Sequence, residues 1–487
     1  MTETTPPLPL PLIVDLDGTL IRADLTHELL VLSFRLAPHL ALYVIYLLIV
    51  DRARAKRWLT ERFGHHVDPA YLPYEEAAVA LIATHTARGG RAWLVSGSDE
   101  ALVSRIAAHL GIFEFSKGST PGENLTSSRK AGFLKRELPG GFAYAGNSRQ
   151  DLAVWKVAAA GFGFRAPPAS YRIKNKASGA VTVKKVLARK SPLGALRKAM
   201  RLHQWAKNIL VFVVPGLVLS DLTGTDLARL LAGFICFGVM ASGTYILNDL
   251  FDIPDDRRHA TKRFRQIADG QLNVPLAVAA MTFMVITSLT GSFLLDPAFG
   301  AIVSLYACVT VTYSFLLKRL PIIDVFVLAG LFTVRVWGGG ELVGHPPTAW
   351  FAMFIGLVFL SLALAKRYVE IGKSGAGGKI SGRGYRAEDG PVVLAFGAAT
   401  ASAAILALAV YGLLAPSRLI DNPPVMMAVA CIIGAWFMRI WLVAGRGELN
   451  DDPVMFAVKD KVSLACLVVV AAFLAAESTR PIWSQWF

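Results

Sequence analysis

The chain has 487 residues, 54% of them apolar and only 17% charged, with a mean hydropathy of +0.49. That balance excludes a wholly soluble protein and a disordered one. The formal charge of +15 could suit nucleic acid, but the Lys and Arg residues lie largely beside hydrophobic segments, which points instead to membrane orientation and to anionic lipid or phosphate partners. Cys236, Cys308, Cys431 and Cys466 all fall inside apolar segments without metal-ligand spacing, so they indicate neither disulfides nor a metal.

Residues 1–11 are Pro/Thr-rich and have neither a basic start nor an apolar core, so no cleavable signal is expected and the first domain should stay in the cytoplasm. Leu12, Ile13 and Val14 read as a short buried strand running into Asp15, Leu16, Asp17, Gly18 and Thr19. Two carboxylates at i and i+2 after a strand can both face a loop, where one can attack phosphorus and the other move a proton. Asp15 taken alone would by default be a turn residue. Residues 28–50 are apolar over most of their length, enough to cross a bilayer. Arg35, Pro38 and His39 interrupt them, and a span would put the flanking motifs on opposite faces, so a helical cap on or near the membrane is expected.

A second strand over 92–95 ends in Ser96, Gly97 and Ser98; Lys130 follows in a polar stretch. A third strand over 142–145 ends in Gly146, Asn147, Ser148, Arg149, Gln150 and Asp151. These four motifs, in this order over residues 11–165, resemble the haloacid dehalogenase (HAD) superfamily. The resemblance implies an α/β HAD-like Rossmannoid domain over residues 1–165 with a helical cap over about 22–85. It further implies Asp15 as the nucleophile, Asp17 as general acid/base, and Ser96 and Lys130 as holders of the phosphoryl group. Mg²⁺ would sit on Asp15, Asn147, Asp151 and the Asp17 carbonyl, an oxygen set of the kind Mg²⁺ requires. Family members often carry Asp where Asn147 stands, a change that weakens metal binding but keeps an oxygen ligand. The alternative is a catalytically inert regulatory or structural domain.

Residues 166–200 are rich in Lys and Arg, among them Lys174, Lys176, Arg189 and Lys190, and read as a basic linker resting on anionic headgroups. From 201 to 487 the chain reads as an all-α polytopic bundle. Nine apolar stretches follow one another: 207–220, 229–248, 274–293, 297–316, 321–337, 348–365, 391–415, 423–444 and 462–477. Loops after the even-numbered stretches hold sixteen Lys and Arg residues, Lys379 and Arg383 among them, whereas the others hold Arg418 and a boundary Arg229. By the positive-inside rule the even loops face the cytoplasm, in an inner membrane, and the tail ending at Phe487 lies outside.

The second stretch ends in Asn248, Asp249, Asp252 and Asp256, whose spacing of three and four puts the acids on one helical face at the bilayer edge. Such a cluster repels itself unless a cation fills it, and divalent metal bridging a diphosphate is the economical reading. A solvated acidic loop is the bland one. Pro254 favours a break there. Arg257, Arg258, Lys262, Arg263 and Arg265 follow and could bind phosphate. Companion clusters occur at other helix ends: Lys207 and Asn208; Tyr313, Lys318, Arg319 and Asp324; Lys366, Arg367 and Glu370. Each basic residue alone suits a membrane anchor, and together they suit a site.

The pattern over residues 195–480 resembles the UbiA superfamily of membrane transferases, and residues 248–256 look like its first aspartate motif. That resemblance implies about nine transmembrane helices, with Mg²⁺ on Asp249, Asp252 and Asp256 holding a diphosphate. The companion at 313–324 is basic with a single Asp, unlike the second acidic motif of aromatic prenyltransferases. It and the runs 203–208 and 259–265 look like the branch represented by decaprenyl-phosphate phosphoribosyltransferase. By that resemblance the substrates are phosphoribosyl pyrophosphate and a polyprenyl phosphate, with Asn248 and the basic residues above holding phosphates. The HAD domain would then remove the 5-phosphate of the product. A conventional prenyltransferase acting on an aromatic acceptor and a non-enzymatic ion-binding membrane protein are the rivals.

Overall fold

The structure is a computed structural model and describes residues 9–172, 183–188, 191–373, 384–414, 423–449 and 453–483. Lys174, Lys176, Arg189, Lys190, Lys379, Arg383, Arg418, the tail at Phe487 and residues 1–8 of the amino terminus lie outside them. Two compact units emerge, one of residues 1–200 with 245–281 and one of residues 201–244 with 282–487. The acidic motif therefore belongs to the same unit as the N-terminal domain.

In the first unit six parallel strands form one sheet in the order β3-β2-β1-β4-β5-β6. They are β1 (Leu12–Val14), β2 (Ala92–Asp99), β3 (Phe115–Ser119), β4 (Ala143–Gly146), β5 (Ala160–Phe164) and β6 (Val183–Leu187). A parallel sheet is covered on both faces, which explains why β1 is apolar at every position. Leu12 and Val14 enter the core shared with the cap and the helix Glu100–Leu110, while Ile13 enters the opposite core with Phe142, Tyr144 and Trp155. β6 falls in the stretch read from sequence as linker. Its pairing with β5 is a long-range event that a Lys-rich strand does not advertise.

The apolar run 28–50 folds as two helices, α1 (Leu25–Leu36) and α2 (Ala41–Val50), each too short to cross a bilayer. Asp24 caps α1 by accepting from the His27 amide at 3.1 Å. The helix stops at Ala37 because the following Pro38 disfavours helical backbone at the residue before it. Asp51 ends α2 and caps α3 (Arg52–Phe63), accepting from the Arg54 amide at 3.0 Å.

The second unit is helical. Seven helices among the described residues are long and apolar enough to cross a membrane, from Gly224–Phe251 to Pro424–Gly445. Two of the nine apolar stretches fold differently from the rest. Residues 207–220 form 3₁₀ turns, Leu202–Phe212, Pro215–Leu217 and Leu219–Asp221, instead of a long α-helix. Pro215 has no N–H to donate and blocks the preceding turn, and the run of β-branched residues before it is a weak helix former. The last stretch forms the helix Lys461–Trp483, whose described apolar segment is Lys461–Leu474.

Candidate active sites

The first site lies at the carboxyl ends of β1, β2 and β4, where the strand order reverses direction, the usual ligand position in such sheets. A cleft of about 500 Å³ is lined there by Asp15, Asp17, Ser96, Lys130, Asn147 and Asp151 among others. The structure thus brings together every residue expected of the four motifs. Asp15 Oδ1 accepts from Lys130 Nζ at 2.7 Å, and the Asp15 amide donates to the Ala145 carbonyl at 3.0 Å. Asp17 accepts from the Leu25 amide at 3.0 Å, from Ser98 Oγ at 2.5 Å and from Ser96 Oγ at 3.4 Å. The start of the cap helix thereby holds the second carboxylate.

Burial pushes Asp15 up to about 6 despite the Lys130 charge, with Asp151 adding to the rise. Burial and the charge of Asp24 push Asp17 up to about 7. Burial opposes the charge of Lys130, but Asp15 and Asp151 hold its ammonium above the usual range. A carboxylate held beside Lys130 and a second carboxyl able to carry a proton near neutrality suit acid/base chemistry.

Asp151 Oδ2 accepts from the Asn147 amide at 3.0 Å and the Ser148 amide at 2.8 Å. Its other oxygen accepts from Tyr144, whose hydroxyl also accepts from Lys130 at 3.1 Å. Gly18 has φ +75°, and a Cβ there would meet the Asn147 amide nitrogen at 1.9 Å, so only glycine lets Asn147 lie against the first motif. Asp15, Asp151, the Asn147 side chain and the Asp17 carbonyl are an oxygen-only donor set with two buried carboxylates. Mg²⁺ fits that chemistry.

The second site begins where the helix Gly224–Phe251 ends. Asp252 leaves helical geometry, and Pro254 opens a short helix, Ile253–Arg258, so the acids are carried by two helices instead of one. Arg265 folds back over them: its Nη1 donates to Asp249 Oδ1 at 3.1 Å and to Asp256 at 2.8 and 3.0 Å. Asp252 accepts from Asn248 Nδ2 at 3.0 Å and lies 3.7 Å from Arg35 of α1. Burial pushes Asp256 up to about 6, against the pull of Arg265. Among the described residues no three His, Cys, Asp or Glu side chains stand close enough together to hold an ion. The guanidinium between Asp249 and Asp256 marks the place where these acids demand positive charge, and hard oxygen donors there fit Mg²⁺.

Several partners were missed at the sequence level. Glu28 of α1 receives both terminal nitrogens of Arg257, at 2.6 and 2.8 Å, in a buried pair, and Arg257 Nε donates to the Ala268 carbonyl at 2.9 Å. Arg22 donates to the Asp269 side chain at 2.6 Å and to its carbonyl at 3.0 Å. Arg35 donates to the Phe251 carbonyl at 2.6 Å. No sequence signal marks these pairings, which span more than 200 residues. Of the residues expected to bind phosphate, Lys262 is exposed and Arg258 lies 3.9 Å from Asp68.

In the other unit Arg367 is fully buried, bonded to Asp324 and Glu370 at 2.5 Å each and to Tyr313 at 3.3 Å, while Tyr385 donates to Asp324 at 2.7 Å. Lys318 and Arg319 lie in a 3₁₀ turn, Lys366 lies on the helix Ala349–Lys373, and Lys207 stands 5.7 Å from the Phe332 ring centre. Asn208 accepts from Arg335 at 2.9 Å, and Arg335 donates to Tyr306 at 2.9 Å. An arginine within a membrane helix is itself a functional signal, so Arg335 was findable.

A family model described as the UbiA prenyltransferase family matches residues 209–459, and one for haloacid dehalogenase-like hydrolases matches residues 12–156. The uncharacterized protein y4nM of Sinorhizobium fredii is 38% identical over 475 residues, covering 96% of this chain and 91% of that protein. The nodulation protein NoeC of Azorhizobium caulinodans is 30% identical over 58% of this chain and 93% of its own length. Decaprenyl-phosphate phosphoribosyltransferase of Mycobacterium tuberculosis is 32% identical over 178 residues, 36% of this chain and 59% of that enzyme, and it matches the UbiA part. The chain is an integral membrane protein of the UbiA prenyltransferase family, joined to a haloacid dehalogenase-like domain at its N-terminal side.

Proposed function

We propose that the membrane domain transfers a 5-phosphoribosyl group from phosphoribosyl pyrophosphate to a polyprenyl phosphate, and that the HAD domain then removes the 5-phosphate. The observation that carries this reading is the joining of an acidic, arginine-covered loop to an assembled phosphatase cleft in one unit. Likeness to decaprenyl-phosphate phosphoribosyltransferase supports the choice of donor.

In the transfer step Asp249 and Asp256, which share Arg265, and Asp252 beside them would hold Mg²⁺ once substrate phosphates complete its oxygen ligands, and the ion would supply positive charge to a departing diphosphate. Arg265, released from the acids it now covers, joins Lys262 and Arg258 in binding phosphate oxygens. The lipid phosphate oxygen attacks the anomeric carbon, and the bond to pyrophosphate breaks. No protein nucleophile is needed, so the gain comes from positioning and charge. In the second step Asp15 attacks phosphorus, Lys130 and Ser96 hold the phosphoryl oxygens, and Asp17 gives its proton to the leaving ribose oxygen. Asp17 then takes a proton from the water that cleaves the aspartyl-phosphate.

The excess of Lys and Arg in alternate loops supports a reading with both sites at the cytoplasmic face of an inner membrane and the C-terminus outside. The test is purified full-length protein given radiolabelled phosphoribosyl pyrophosphate, polyprenyl phosphate and Mg²⁺. Wild type should accumulate polyprenyl-phosphoryl-ribose, and Asp15→Asn its 5-phosphate. Identical products from both would remove the phosphatase step. Pyrophosphate released only from a polyprenyl diphosphate with an aromatic acceptor would replace the transfer step with conventional prenylation.

A further inference from the structure

α2 presents to solvent a largely apolar face, whose only polar side-chain groups are tyrosine hydroxyls. Leu42, Tyr46, Ile49 and Val50 are 81, 59, 79 and 64% exposed, while Val44 and Leu47 on the other side are buried in the domain core. The exposed set recurs at helical spacing, so it forms one stripe, and Phe34 and Leu36 at the end of α1 are exposed as well. A contiguous apolar patch of this kind on a folded domain marks an interaction surface.

The occupant follows from what lies beside it. Arg35, six residues before α2, donates to the carbonyl of Phe251, the last residue of a membrane-spanning helix. The end of α1, just ahead of the stripe, is thus tied to the residue at which that apolar helix ends. At the other end of α2 the chain turns to Arg52 and Arg54, both exposed, which suits anionic headgroups. Leu48 of α2 and Arg52 and Lys56 of α3 also line the phosphatase cleft.

We infer that α2 lies in the membrane interface with Leu42, Tyr46 and Ile49 in the acyl boundary, and that the phosphatase cleft opens beside it to accept a phosphomonoester carried by a lipid. The docking is independent of the functional reading above; the substrate class rests on it. An interfacial helix of this type is held by buried apolar area plus attraction of basic residues to anionic lipid. The head of a membrane-borne substrate could then enter past Arg52 and Lys56 without its lipid leaving the bilayer.

The test uses full-length protein with the four cysteines replaced by Ser, in nanodiscs of phosphatidylglycerol and phosphatidylcholine. Nitroxide labels are placed at Leu42→Cys, Ile49→Cys and, as an aqueous reference, Glu137→Cys. Relaxation by oxygen should exceed relaxation by a water-soluble nickel chelate at 42 and 49, with the reverse at 137. Aqueous behaviour at both 42 and 49, or dipolar broadening that disappears on dilution with unlabelled protein and so reveals a second copy on this face, would overturn the proposal. With the native cysteines retained, Leu42→Asp/Ile49→Asp should cut hydrolysis of polyprenyl-phosphoryl-ribose 5-phosphate in the nanodisc about tenfold and leave hydrolysis of p-nitrophenyl phosphate unchanged. Equal hydrolysis of the lipid substrate by both proteins overturns the delivery role. If wild type hydrolyses neither compound, the phosphatase reading fails while the label depths still decide the docking.

Discussion

The cleft at the sheet edge and the acidic loop after Phe251 handle buried negative charge in opposite ways. In the cleft, each carboxylate has partners supplied by separate elements: Asp15 by Lys130, Asp17 by Ser98 and the start of α1, Asp151 by the turn it closes. In the loop, Asp249 and Asp256 share one arginine, sixteen and nine residues downstream of them. The cleft keeps its geometry because the sheet fixes it. The loop holds its acids through one arginine that another cation and a phosphate would replace under the proposed transfer, in which a diphosphate is admitted and released.

Substitutions that separate the two behaviours sharpen this contrast. Asp15→Asn should lower dephosphorylation by roughly 10⁴-fold, by analogy with other lost nucleophiles, and leave lipid transfer unchanged when both are followed with one labelled donor. Asp249→Ala should lower transfer by about 10³-fold and spare hydrolysis of p-nitrophenyl phosphate. Equal loss of both activities in either variant would mean that the two sites are not chemically independent.

A smaller effect tests the joint between them. Glu28→Gln leaves the buried Arg257 without its counter-charge and should cost about 3 kcal/mol, seen as a lower thermal midpoint and faster trypsin cleavage of the loop after Arg257. The smallest effect is one of pH in metal-free protein. Asp15 and Asp17 are raised to about 6 and about 7 from an ordinary 3.8, so burial favours their protonated forms. Their contribution to stability is full below the unfolded value and is lost as pH rises through 6 to 7. With EDTA the N-terminal unit should therefore melt lower at pH 8 than at pH 5.5, and Mg²⁺ should narrow that gap. A midpoint independent of pH over this range would show that the two acids are already compensated without metal.

Much of the cleft was legible in the sequence because its groups sit at strand ends, and strand ends are announced by short apolar runs before Asp15, Ser96 and Asn147. The membrane segments were legible from apolar length. The 3₁₀ course of residues 202–212 was not, since composition reports burial and says little about which hydrogen bond the backbone chooses. Nor was the sixth strand, whose Lys184 and Lys185 look like linker until β5 pairs with them. The partners of the acidic loop were the least accessible. Glu28, Arg22 and Arg35 are ordinary residues of an amphipathic cap until folding brings a segment from more than 200 residues away against them.

Gly270 adopts φ +71°, and a Cβ placed on it would meet the Arg22 carbonyl oxygen at 2.2 Å. The cap backbone is thus seated directly on the loop that follows the acidic motif, next to the Arg22–Asp269 pair. For anyone exchanging parts between such proteins, the useful breakpoint is not residue 200. A foreign phosphatase joined there would leave Arg257 buried without Glu28 and Gly270 without its seat, whereas residues 245–281 carried along with their own N-terminal domain would travel as one piece.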